Sequence, residues 1–104
     1  MKKILASICV TAGVAVMSVP ALAARPAIRV GDDYFKAKVV HVKRNATVTW
    51  KWVGSDSHNV RFKTFGSKLQ NKGTYRHKFR KRGTFRYICT LHDDKGMKGT
   101  VVVR

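Results

Sequence analysis

Between Thr47 and Val53 the chain alternates, with Val48, Trp50 and Trp52 on one side and Thr47, Thr49 and Lys51 on the other. Side chains of a strand point to opposite faces in turn, so this run predicts a β-strand with one heavily apolar face. The same period recurs in Thr74 to Arg80, where Tyr75, His77 and Phe79 oppose Arg76, Lys78 and Arg80. It recurs again in Thr84 to Cys89, which sets Phe85, Tyr87 and Cys89 on one face, and Gly99 to Val103 closes the sheet. Upstream, Ala27 to Val30 reads as a first edge segment before a Gly31-Asp32-Asp33 turn. Tyr34 to Val42 is mostly extended but changes phase near Val39-Val40, which predicts a bulge or bend, after which Val40 and Val42 share a face. Lys43-Arg44-Asn45-Ala46 makes a turn in which Asn45 tolerates the left-handed conformation. After Gly54-Ser55-Asp56-Ser57 and His58, Val60 and Phe62 alternate with Arg61 and Lys63. Thr64 to Gly73 reads as a loop anchored by Phe65 and Leu69, and Lys81-Arg82-Gly83 as a tight turn. No helical period persists. Short strands punctuated by turns predict an all-β fold, a sandwich or barrel, and Tyr87, two residues before Cys89, stands where a Greek-key sandwich places its tyrosine corner.

The N-terminus follows a different logic. Lys2-Lys3 precede an uncharged run from Ile4 to Ala24, with Ala21-Leu22-Ala23 as a small-x-small cleavage site after Pro20. These are the three regions of a secretory signal peptide, expected to cover residues 1–23 and to leave a single domain at 24–104. The run is about long enough to span a bilayer, but Gly13, Ser18 and Pro20 weaken it, so cleavage near Ala23 and export, for instance to the periplasm, are expected. Export changes the meaning of the cysteines. Loss of Cys9 with the signal leaves Cys89 alone in an oxidising compartment, where a lone thiol is inert and buried, bridges to another chain, or binds metal as a thiolate.

The full chain carries a net charge of +17, of which Lys2 and Lys3 account for two, so the exported domain holds +15, with five Asp as its only acids. Such a field hastens encounter with anionic partners and favours adsorption to anionic surfaces, a membrane surface among them. The aromatic residues that could stack on single-stranded nucleic acid, Trp50, Trp52, Phe79, Phe85 and Tyr87, lie on faces that a sandwich buries, so nucleic-acid binding is not expected.

The chemistry is concentrated in Cys89-Thr90-Leu91-His92-Asp93-Asp94-Lys95-Gly96-Met97. Thiolate, imidazole and thioether together select copper, and a Cys with two His and a distant axial Met describes an electron-transfer copper site. The second imidazole must come from elsewhere, and His58, directly after the clearest strand, is its obvious supplier. His41 and His77 read as strand or boundary residues. The ligand set His58, Cys89, His92 and Met97, with the Cys-x2-His-x4-Met spacing and the following Lys98-Gly99-Thr100-Val101-Val102-Val103, resembles that of the cupredoxins, the small blue copper proteins that include plastocyanin and pseudoazurin. The resemblance covers about Ile28 to Val103. It implies a Greek-key β-sandwich that binds one copper, is no enzyme, and as a monomer shuttles single electrons between larger redox proteins. For so cationic a domain those partners are expected to be acidic, such as cytochromes or an oxidase or reductase. A copper carrier using the same four ligands without a dedicated redox partner is the rival reading, and a polycation acting on anionic surfaces is a third. Leu91 stands where the family frequently has proline and Asp93-Asp94 where it is often less acidic. Both departures bear on the surface through which electrons leave.

Overall fold

The computed structural model describes residues 26–104 as seven strands in two sheets. The signal-peptide reading of residues 1–23 lies outside the described residues. One sheet has the order β2-β1-β4-β5, with β1 at Ala27–Gly31, β2 at Tyr34–Lys36, β4 at Thr47–Trp52 and β5 at Thr74–Lys78. The other has the order β3-β7-β6, with β3 at Val39–Val42, β6 at Gly83–Ile88 and β7 at Lys98–Val103. The chain changes sheet between β2 and β3, between β3 and β4 and between β5 and β6. The pairs β1–β4 and β3–β7 are parallel, so each is joined by chain that passes through the other sheet.

Alternation dictates which side chains meet between the sheets. Val48, Trp50 and Trp52 of β4 are buried, as are Ile28 and Val30 of β1, paired with Trp50 and Trp52. From the second sheet come Val42, Tyr87, Val101 and Val103. The layers meet edge to face: Tyr87 stands at 90° to Trp50 with ring centres 5.4 Å apart, and at 72° to Phe35 at 4.8 Å. Perpendicular aromatic pairs of this kind add to the stabilisation that burial alone supplies.

Four local expectations need correction. β1 is not an edge strand, because it bonds to β2 on one side and to β4 on the other; β2 forms the edge. The break in Tyr34 to Val42 falls at Ala37-Lys38, ahead of the phase change at Val39-Val40, and there the chain passes from one sheet to the other. Leu69 is exposed and anchors nothing. The Thr64–Gly73 loop is held instead by backbone pairing of His58 with Gln70 and Arg61 with Gly66, by buried Ser67, whose Oγ accepts from the Val60 amide at 2.9 Å, and by Phe65 stacked on Phe62 at 4.4 Å. Finally, Tyr87 makes no tyrosine corner. Among the described residues neither its hydroxyl nor the neighbouring Trp50 indole N–H has a hydrogen-bond partner, and burial pushes the phenol up to about 12.

The Asn45 turn forms as expected, with φ 75° and the Asn45 amide donating to the Phe79 carbonyl.

Candidate metal centre

β4 and β6 belong to opposite sheets but run out at the same end of the sandwich. Chain leaving β4 passes through Val53–Ser57 to His58, while β6 delivers Cys89 one residue past its last pair, Ile88 with Lys98. His58 is fixed by its backbone, which exchanges two hydrogen bonds of 3.0 Å with Gln70, and its carbonyl also accepts from the Trp52 indole at 3.2 Å. Cys89 opens a loop that folds back on itself. Its amide donates to the Met97 carbonyl at 3.1 Å, the His92 amide donates to the Cys89 carbonyl at 3.1 Å, and the Met97 amide donates to the His92 carbonyl at 3.2 Å. A single 3-10 turn, Asp93–Lys95, spans the middle, and Gly96 ends it at φ 81°, a left-handed conformation that costs glycine nothing.

The result brings three donors together. His58 Nδ1 and His92 Nδ1 are 3.2 Å apart, and Cys89 Sγ lies 3.5 Å from His92 Nδ1 and 3.8 Å from His58 Nδ1. Nitrogens at about 2.0 Å and a sulfur at about 2.3 Å from one first-row ion, at trigonal angles, stand about 3.5 Å (N to N) and about 3.7 Å (N to S) apart, within about 0.3 Å of the spacings here. The donor spacings therefore fit a single ion. His58, Cys89 and Met97 are each fully buried, which keeps water from the thiol and the thioether. All four residues singled out in the sequence lie at this end of the fold. His41 and His77 do not join them: His41 is exposed beside Arg104 at 3.2 Å, and His77 packs between Phe65 and Phe79 at 4.1 and 4.7 Å.

The residues that orient the donors were not read from the sequence. Asp32, in the turn between β1 and β2, accepts from His58 Nε2 at 3.0 Å and is itself held by the Ser55 and Asp56 amides at 3.1 and 3.0 Å. The His58 hydrogen bond first, then those amides, lower its carboxyl to about 2, so it is an anion at any working pH. A carboxylate can only accept, so the His58 proton sits on Nε2 and the Nδ1 lone pair faces the other donors. Asp33 repeats the arrangement more loosely, 3.5 Å from His92 Nε2. Between the two loops Asn59 forms a strut, accepting from the Thr90 amide at 2.8 Å and donating to Thr90 Oγ1 at 3.1 Å. No periodicity announces such contacts, because they join residues 26 and 31 positions apart. The surface of the centre is the edge of His92, 19% exposed, with Leu91 exposed beside it.

A two-sheet β-sandwich carrying a buried thiol, two imidazoles and a buried thioether at one end defines a cupredoxin, a protein built to bind copper. The chain belongs to the plastocyanin/azurin family of copper-binding proteins, whose family model matches residues 26–104. It is 34% identical over 111 aligned positions to amicyanin-alpha of Methylorubrum extorquens, covering 95% of this chain and 92% of that one. Among solved structures, the Cu(I) form of an amicyanin variant superposes with a TM-score of 0.70 at 28% identity, over 78% of this chain and 83% of the other. A purple cupredoxin from Nitrosopumilus maritimus shares the fold, with a TM-score of 0.69 at 21% identity, over 76% of this chain and 99% of that one.

Proposed function

We propose that the domain is exported, holds one copper through His58, Cys89, His92 and Met97, and carries single electrons between larger redox proteins. The observation that supports this reading most is the spacing of the three donors together with their fixed backbones and hydrogen-bonded imidazoles. Copper bound there supplies a one-electron Cu(II)/Cu(I) couple. The chain's own residues do the rest. Backbone hydrogen bonds at His58 and around the Cys89–Met97 loop keep the donors in place through a change of charge, Asp32 holds the Nε2 proton of His58, and the Asn59–Thr90 strut keeps the two loops from sliding apart. Buried Met97 would offer bound copper a soft thioether, a donor that favours Cu(I). His92, reaching the surface beside Leu91, is the edge through which a partner's cofactor exchanges the electron. With the four donors committed to the metal, no open position or acid/base pair remains for a reaction on a substrate.

A domain of net charge +15 meets an acidic cytochrome or oxidase quickly at low salt. Stopped-flow mixing with such a partner tests the proposal: the exchange should be fast and reversible, and should slow steeply as the Debye length falls from about 30 Å at 0.01 M to about 10 Å at 0.1 M ionic strength. Slow exchange that ignores salt, alongside rapid copper transfer to an acceptor in the same preparation, would mark a copper carrier instead.

A further inference from the structure

The charges of the domain are sorted. All five acids belong to the metal end: Asp32 and Asp33 face the two imidazoles, the Asp56 amide holds Asp32, and Asp93 and Asp94 follow His92 in the ligand loop. From Ser57 to His92 there are ten Lys and Arg and no acid. Among the described residues, the ion pairs of the carboxylates are those with the two histidines, so these cations are not neutralised from within the chain.

Several of the cations line one concavity. An open groove of about 520 Å³ lies along the edge strands β5 and β6, lined by Phe65, Phe79 and Phe85 together with Arg76, Arg80 and Lys81. The pairs Thr47 with Lys78 and Gly83 with Val103 place its centre away from the ligand end, where Trp52 and Ile88 run out. Guanidinium groups over a concave aromatic floor recognise carboxylates, which they can bind in bidentate fashion, and the floor covers an apolar residue between them.

We infer that this groove is a docking site for a short acidic segment of a protein partner, one that carries aspartates or glutamates around an aromatic or aliphatic residue. Two features argue for a protein segment over other polyanions. Phe79 is 2% exposed and Phe65 and Phe85 are half-buried, so the rings leave room to pack one apolar side chain rather than a run of stacked bases. The lining is concave, a shape that an extended segment fills more completely than a flat lipid surface. Docking here leaves the His92 edge free, and the acids around that edge turn an acidic segment away from it. The groove thus tethers the partner without passing the electron. That the segment belongs to a redox protein rests on the electron-carrier reading; the groove's chemistry does not.

The test uses the copper-loaded protein in its Cu(I) form and a short peptide of glutamate and aspartate with phenylalanine at its centre, followed by amide NMR shifts at low salt. The shifts should concentrate between Arg76 and Phe85. Arg76→Ser with Arg80→Ser should weaken binding about tenfold or more. Arg29→Ser with Lys51→Ser, which removes the same charge from paired exposed positions on β1 and β4, should weaken it less than about twofold. Equal weakening by the two pairs, shifts scattered over the sheets, or groove shifts with phosphatidylglycerol vesicles but none with the peptide would overturn the inference. If the peptide fails while exchange with an acidic cytochrome keeps its salt dependence, the groove assignment falls and the electron carrier stands.

Discussion

Asp32 shows how much of the centre depends on a residue that offers no ligand. Its carboxylate fixes the tautomer and direction of the His58 ring, and removal of such a partner typically costs about 10–100-fold in metal affinity. Asp32→Ala should therefore weaken copper binding by about that factor in a chelator competition while keeping the thiolate absorption band; unchanged affinity would show that packing alone orients His58. Met97→Gln should retain copper and lower the reduction potential, because a harder axial oxygen favours Cu(II) over Cu(I). An unchanged potential in protein-film voltammetry would place the axial donor elsewhere. The four candidate donors were legible because three of them sit within one short loop at a spacing that has few other uses, and the fourth follows the strongest strand. Asp32 and Asn59 were not, since their importance arises only when distant turns meet.

The strands themselves follow from alternation, and the places where that reasoning slipped have a common cause. A period of two assigns residues to faces, but it does not say which strands become neighbours, so β1 looked like an edge although β2 covers it. Nor does it separate apolar residues that pack from those that backbone pairing leaves outside, as with Leu69. Close packing between β6 and β7 gives a direct check. A Cβ on Gly99 of β7 would run into the ring of Tyr87, its partner on β6, and neither the buried ring nor the paired strand can yield freely. Overpacking of this kind costs about 1–3 kcal/mol, so Gly99→Ala should lower the denaturation midpoint accordingly. A midpoint equal to wild type would mean that β6 and β7 are more loosely packed than their contacts imply. β5 carries a pH dependence. Burial, with the charge of Arg80 adding to it, holds His77 below its ordinary 6.5. The unfolded chain takes up that proton first as pH falls, so the stability His77 contributes is present above its unfolded value and is lost as pH drops through its depressed folded value. Urea midpoints of the wild type should decline more steeply below about pH 6.5 than those of His77→Phe; parallel curves would contradict this account.

At the scale of the whole molecule, a small sandwich is organised around one end. The core of crossed aromatic rings fixes two strands of opposite sheets, those strands deliver His58 and Cys89 to the same point, and the loop returns His92 and Met97 to it. A domain of this size is only marginally stable, and metal that binds the folded state alone adds to its stability by mass action. The charge pattern follows the same division, with the acids gathered where the imidazoles need acceptors and, among the described residues, no carboxylate paired with the cations of the other end. The central claim is that a copper thiolate at Cys89, completed by His58, His92 and Met97, does one-electron chemistry. The visible spectrum of the mature domain loaded with Cu(II), recorded through a cycle of reduction and reoxidation and repeated with Cys89→Ser, tests it most directly. An intense blue or green charge-transfer band should bleach and return with the cycle and be absent from Cys89→Ser; a band that survives the substitution, or bound copper without such a band in the wild type, would rule out a copper thiolate at Cys89.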